Sequence, residues 1–184
     1  MEKQRCRWVK LSNPAYVAYH DKEWGTPTHN DRALFEMLVL EGFQAGLAWE
    51  TIINKREGFR RAFEGFDPAR VAAFDEAKRA ELMADPGIVR NRLKINAAVN
   101  NARIFLDIRR EFGSFDAYIW GFTGGRQLHE PWDERTTSPL SDAISKDLKK
   151  RGMKFVGSTI IYSYLQAIGV LDPHTPECYR AKKA

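Results

Sequence analysis

No stretch of this chain approaches the roughly 18 consecutive apolar residues of a membrane-spanning helix. The N-terminal residues MEKQRCRWVK lack the apolar core of a signal peptide, so a cytoplasmic location is expected. Only two cysteines are present, Cys6 and Cys178, one near each end. In that compartment a disulfide between them is disfavoured. No segment of useful length alternates apolar and polar residues, so the expected fold class is all-α. Internal repeats, low-complexity tracts and linkers rich in Pro, Gly or Ser are also missing, and 1–184 reads as a single domain.

What is present is ordinary in bulk. An apolar fraction of 43% and a charged fraction of 29% are those of a soluble globular protein. A chain of 184 residues can bury one sizeable core. The net charge is +5, from 29 Lys and Arg against 24 Asp and Glu. That balance permits an anionic partner such as nucleic acid without requiring one.

The informative stretch is Leu34 to Ile53, LFEMLVLEGFQAGLAWETII. Leu34, Phe35, Met37, Leu38, Val39, Leu40 and Phe43 make it apolar nearly all round, the pattern of a buried helix. Asn30 or Asp31 can cap its start. Gly42 and Gly46 weaken its end, which predicts a break near Gly46 and a second helix from about Trp49. Inside this run stands one carboxylate, Glu41. A buried ionised carboxylate is costly unless it is paired or faces a polar cavity, and acids set in apolar walls are how reactive groups are tuned. The alternative is an exposed edge or a bridge to an arginine.

Upstream, residues 1–30 are irregular and aromatic. Asn13-Pro14 can start a short helix, which puts Tyr16, Tyr19 and His20 on one face. Such a cluster either packs under the core or walls a pocket for a flat, cationic or π-rich ligand. Downstream, Lys55, Arg56, Arg60 and Arg61 read as a solvated basic face. Asp67-Pro68 and Asp75 cap two further helices. Residues 77–112 read as helix, Pro-Gly hairpin, then a long helix whose buried faces take in Leu93, Ile95, Ala98, Val99, Ala102, Ile104, Phe105 and Ile108. A hairpin of this kind can offer backbone N–H groups to a phosphate, with Arg90, Arg92 and Lys94 beside it. Two helices joined by a Pro-Gly turn are more often just two helices.

Phe115–Phe122 reads as a short aromatic helix and 124–139 as a polar loop containing Trp132. Ser141-Asp142 is expected to cap the next helix, and 158–169 to form the last core helix. Lys149, Lys150, Arg151 and Lys154 are candidate phosphate contacts. His29 and His129 have no obvious partners. In the tail, His174 and Cys178 are four residues apart, a usable spacing for two ligands of one metal. With Cys6 and His20 they would complete a closed tetrahedral zinc set. The alternatives are free inert cysteines, a disulfide, or a histidine that merely caps the tail.

Taken together, the segments RCRW (5–8), AYHDKEWG (18–25), LFEMLVLEGFQAGLAWETI (34–52), GIVRNRLKI (87–95), KKRGMKFVGSTIIYSYLQAIG (149–169) and the His174/Cys178 tail resemble the 3-methyladenine DNA glycosylase I family. The resemblance runs over nearly the whole chain. It implies a helix-hairpin-helix glycosylase fold with one structural zinc held by Cys6, His20, His174 and Cys178, clamping the two termini together. It further implies that a damaged base, flipped from double-stranded alkylated DNA, enters a pocket of Trp8, Tyr16, Tyr19 and Trp49 with Glu41 as the acid. Free 3-methyladenine would be the product. By the same resemblance Gly46 and Leu47 form the DNA wedge, and Gly87, Ile88, Val89 and Arg90 form the phosphate-binding hairpin. The hairpin departs from the usual pattern at Val89, where a second glycine is expected. No lysine lies in the pocket segments, which disfavours a lyase activity that needs an amine. A monomer with no membrane partner is expected. A DNA-binding module without catalysis, a zinc-stabilised small-molecule binder and a glycosylase of different lesion specificity are the competing classes.

Overall fold

The structure is a computed structural model that describes residues 3–131 and 133–181. The chain is mostly helical, and its helices begin where short polar side chains can take up free N–H groups. Asn13 Oδ1 accepts from Ala15 and Tyr16 N–H ahead of α1 (Pro14–Lys22). Asn30 Oδ1 accepts from Ala33 N–H ahead of α2 (Asp31–Gln44). As the glycines predict, α2 stops before Gly46, whose φ of 76° is left-handed, and α3 (Trp49–Ala62) follows.

A 3₁₀ turn (Glu64–Phe66) leads to α4 (Pro68–Ala72) and α5 (Glu76–Ala84), capped by Asp67 and Asp75. The turn 85–91 then feeds α6 (Arg92–Phe112), capped by Asn91. After α7 (Phe115–Gly121) come α8 (Pro139–Lys150) and α9 (Ser158–Ala167). α2 lies at the centre, against α9, α3, α6 and α7. Leu34, Phe35, Leu40, Ile52, Phe105, Ile161 and Leu165 are fully buried around it. The Tyr164 hydroxyl donates to Leu34 O at 3.1 Å and ties α9 to α2.

Several expectations need correction. Leu93 is 71% exposed, because it lies about 200° round the helix from Ile95, off the buried stripe of α6. Arg56 does not face solvent. The half-buried Glu36 of α2 draws it inward at 2.7 Å, and Glu23 binds it at 2.8 Å. Ser138, not Ser141, caps α8. Pro139 occupies the first helical position and Ser141 returns a hydrogen bond to Ser138 N–H at 2.8 Å, so the helix starts three residues earlier than its apolar pattern suggests. The polar loop contains a two-residue strand, β1 (Leu128–His129), parallel to β2 (Leu171–Asp172), too short to show alternation. Trp132 lies outside the described residues. His29 is partnered after all: it bonds Asp116 at 2.8 Å and stacks on Trp120. His129 lies 3.7 Å from Asp172. Arg151 is engaged by Glu111 and Asp147. No described helix is long and apolar enough to cross a membrane.

The turn 85–91 is held tightly against α3. A Cβ at Gly58 would sit 2.2 Å from Gly87 O, so only glycine permits this approach. Lys55 Nζ donates to Pro86 O at 2.6 Å on the same side.

Candidate active site and Cys/His cluster

α1, the C-terminal half of α2, the start of α3 and α9 enclose a cavity of about 210 Å³. That is below the roughly 300–1,000 Å³ of sites for drug-sized ligands and suits one small flat ring system. Trp8, Tyr16, Tyr19, Glu41 and Trp49, all singled out from the sequence, line it. Trp24, Gln44, Ser163 and Gln166 complete it. The rings brace one another edge to face: Trp8 meets Tyr16 at 5.4 Å and Trp24 at 4.6 Å, while Tyr19 leans on Trp49 at 5.3 Å. Such pairs lock ring orientation and leave flat faces for a ligand.

Glu41 is 4% exposed. Its helix position is dictated by α2: the side chain emerges from an otherwise apolar surface into the cavity. Among the described residues nothing donates a hydrogen bond to it, and burial pushes its carboxyl up to about 8. The same charge, after burial itself, helps hold the buried Tyr19 hydroxyl well above its ordinary value. Three N–H donors on the cavity residues, Trp8 Nε1, Trp49 Nε1 and Gln166 Nε2, are buried without a partner. Native interiors rarely leave such groups unpaired. Their collection around one acid marks a site completed by a polar, flat ligand.

Gly46 and Leu47 form the turn between Gln44 and Trp49, two residues of the cavity wall. The turn is closed by Leu47 N–H to Gln44 O at 2.7 Å and Gln44 Nε2 to Leu47 O at 2.6 Å. Gly46 is exposed and Leu47 half-buried. Gly87, Ile88, Val89 and Arg90 lie away from the cavity, in the turn before α6. Ile88 is buried and Arg90 exposed. Asp85 Oδ1 accepts from Gly87 N–H at 2.7 Å, so that donor is already occupied.

Behind the cavity, Cys6, His20, His174 and Cys178 are all buried, with one potential ligand atom from each within 4.8 Å of the others. Cys178 Sγ lies 3.5 Å from His20 Nε2 and 3.6 Å from His174 Nδ1, and Cys6 Sγ lies 3.7 Å from His174 Nδ1. Around a tetrahedral ion with Zn–S near 2.3 Å and Zn–N near 2.05 Å, sulfur and nitrogen should be about 3.6 Å apart. The set therefore could hold a metal ion. The outer ring nitrogens are held as metal-binding histidines require: His20 Nδ1 by Asp21 at 2.8 Å and His174 Nε2 by Trp24 O at 3.1 Å. Arg5 clamps Asp21 through two bonds of 2.7 and 2.8 Å. Trp8 and Trp24 touch the His20 ring on one side and line the cavity on the other.

Residues 8–181 match the methyladenine glycosylase family. The chain belongs to this family of enzymes. DNA-3-methyladenine glycosylase 1 of Escherichia coli K12 is 44% identical over 183 residues, covering 95% of both chains. A crystal structure of a 3-methyladenine DNA glycosylase I superposes with a TM-score of 0.93 at 45% identity, over 97% of this chain and all of that one. The Staphylococcus aureus 3-methyladenine DNA glycosylase I, solved to explain its recognition of 3-methyladenine, superposes with a TM-score of 0.90 at 36% identity over 95% of each chain.

Sequence reasoning did not single out Gln44, Ser163 and Gln166 in this cavity, and it placed Trp24 only in the N-terminal aromatic cluster. Gln166 carried the signal that exposed Glu41, a polar side chain inside an apolar helix, but without a charge to draw attention.

The buried acid has a consequence for stability. An unfolded chain ionises Glu41 near 4.5, while the folded chain keeps the proton to about 8. Folding stability is therefore lost as pH rises through that window. Glu41→Gln should add more stability at about pH 9 than at about pH 5, by a difference on the order of a few kcal/mol that appears as a larger rise in melting temperature. Thermal melts at the two pH values check this, and an equal effect at both would contradict the raised pKa.

Proposed function

We propose that this enzyme excises 3-methyladenine from double-stranded alkylated DNA by base flipping and hydrolysis. The observation that carries the reading is the buried Glu41 carboxyl, without a hydrogen-bond donor among the described residues, facing an aromatic cavity of about 210 Å³. A flipped base must recover the energy of unstacking through new stacking and edge hydrogen bonds. Trp8, Tyr16, Tyr19 and Trp49 stack against it, and Glu41 accepts hydrogen bonds from the amino edge of the adenine. Methylation at N3 leaves the base cationic while it is attached to the sugar, so the glycosidic bond is already weak. The C1′–N bond breaks, water supplies the oxygen that replaces it and releases its proton to solvent, and free 3-methyladenine and an abasic site remain.

The cation also distinguishes the lesion. Neutral adenine offers no charge to offset the ionisation of Glu41, whereas the methylated nucleoside does, at short range and low dielectric. As the oxocarbenium-like charge develops on the sugar, a carboxylate in the cavity stabilises it.

DNA reaches the cavity through the α2–α3 turn and the 85–91 turn. Gly46 and Leu47 act as the wedge that fills the gap left by the flipped base. Helix α5, the turn and α6 act as a helix-hairpin-helix, in which the backbone at Ile88, Val89 and Arg90 and the exposed Arg90 side chain hold a phosphate. Gly87 shapes the turn rather than donating, since Asp85 takes its N–H. The enzyme acts as a monomer.

Cys6, His20, His174 and Cys178 would hold one structural zinc, which would cross-link the two termini and, with four protein ligands, would leave no open position for catalysis. Elemental analysis should find one zinc per chain. Cys6→Ala or His174→Ala should lower the melting temperature by on the order of 10 °C. Metal-free protein with the same melting temperature would contradict the assignment.

Base release tests the function. Purified enzyme incubated with methylated duplex DNA should free 3-methyladenine and leave 7-methylguanine in place, as judged by chromatography of the released bases. Release should fall steeply as salt rises, since phosphate contacts displace counterions. No release by folded, metal-loaded protein would overturn the reading.

A further inference from the structure

Lys94 is a buried ammonium that the chemistry above leaves unused. It is 8% exposed, and lysines are rarely buried unless paired. Its Nζ donates to Phe43 O at 2.8 Å and Ala45 O at 2.6 Å. Among the described residues no carboxylate pairs with it. Both acceptors are carbonyls at the C-terminal end of α2, where a helix leaves carbonyls without internal donors and carries its negative pole. Burial pulls the Lys94 amine below its ordinary value, so the contact holds a cation at a cost that an apolar side chain of equal length would not incur.

The position of Lys94 explains what that cost achieves. Phe43 and Ala45 stand between Glu41 and the Gly46-Leu47 turn. Lys94 itself lies three residues after Asn91, the last residue of the 85–91 turn, and its own N–H is capped by Asn91 Oδ1 at 3.1 Å. One side chain thus spans from the start of α6 to the end of α2. The other side of the 85–91 turn is fixed to α3, which follows the wedge, by the Gly58–Gly87 contact and by Lys55 to Pro86. The two proposed DNA-contacting turns are therefore braced through both helices that flank the wedge.

We propose that Lys94 is a positioning residue for base excision. It fixes the wedge turn and the Glu41 end of α2 relative to the phosphate-binding turn, so that gripping the backbone sets the wedge and cavity in register with the lesion. The proposal rests on the glycosylase reading given above. Lys94 does not line the cavity, so its loss should separate binding of the free base from action on DNA.

The test compares wild type, Lys94→Met and Lys94→Arg. The first readout is affinity for free 3-methyladenine, by quenching of tryptophan fluorescence. The second is the single-turnover rate on duplex DNA carrying 3-methyladenine. Lys94→Met should keep free-base affinity within about threefold and lose about 10- to 100-fold in the duplex rate, the scale of a misplacement of about 1 Å. Lys94→Arg, which can donate to the same carbonyls, should recover part of that rate and provides the comparison if Lys94→Met does not fold. An unchanged duplex rate in folded Lys94→Met, a rate in folded Lys94→Arg that falls by the full 10- to 100-fold expected of Lys94→Met, or free-base affinity that falls in step with the rate, would overturn the proposal. Wild-type protein that releases no base from the lesion-bearing duplex would instead overturn the glycosylase reading on which it rests.

Discussion

An unpaired carboxyl buried in an apolar helix is the constraint on which the rest of this molecule turns. Among the described residues Glu41 makes no hydrogen bond or ion pair that ties α2 to the core, and Leu38, Leu40 and Phe43 bury that helix beside it. The group instead costs folding free energy above the pH at which an unfolded chain would ionise it. A cost of this kind persists when something outside the fold offsets it. In the proposed reading that something is a cationic, flat base, which supplies a hydrogen-bonding edge and a charge, and meets the unpaired donors of Trp8, Trp49 and Gln166 as well.

Holding such a cavity open requires walls that do not collapse onto the acid. The aromatic rings do this by bracing one another, and two of them are pinned from behind. Trp8 and Trp24 lean on His20, which sits with Cys6, His174 and Cys178 where the two ends of the chain meet. Arg180 adds to this closure by donating to His20 O and Trp24 O. The Cys/His cluster lies outside the cavity yet is continuous with its wall, so a cross-link there would act on the geometry of the site without taking part in the reaction. Away from the cavity, Lys94 and the Gly58–Gly87 approach hold the α2–α3 and 85–91 turns.

Much of this was legible in the sequence where a single residue conflicted with its surroundings. Glu41 stood out because a charge interrupted an apolar run, and Gly46 because a glycine ended it. The helix starts at Asn13, Asn30, Asp67 and Asp75 were readable from capping chemistry. Other features depended on tertiary context and left little local trace. Arg56 looked solvated until Glu36, twenty residues away, drew it inward. Leu93 fitted the apolar composition of α6 but not its buried stripe. Spacing linked His174 to Cys178, and Cys6 with His20 offered a possible completion of the set. Only the family resemblance made that set an expectation, because the approach of the two ends depends on the path of the whole chain. Gln166 and Ser163 were hidden because neutral polar side chains in a core helix usually signify packing with a local hydrogen bond.

The account stands or falls on the protonation of Glu41. Its carboxyl can be titrated directly by NMR of protein carrying isotopically labelled glutamate, with and without 3-methyladenine. The free enzyme should titrate at about 8, and the bound base should shift that midpoint, because it enters the same cavity. A carboxyl that titrates near 4.5, indifferent to the base, would show that Glu41 neither bears the cost of burial nor meets the ligand.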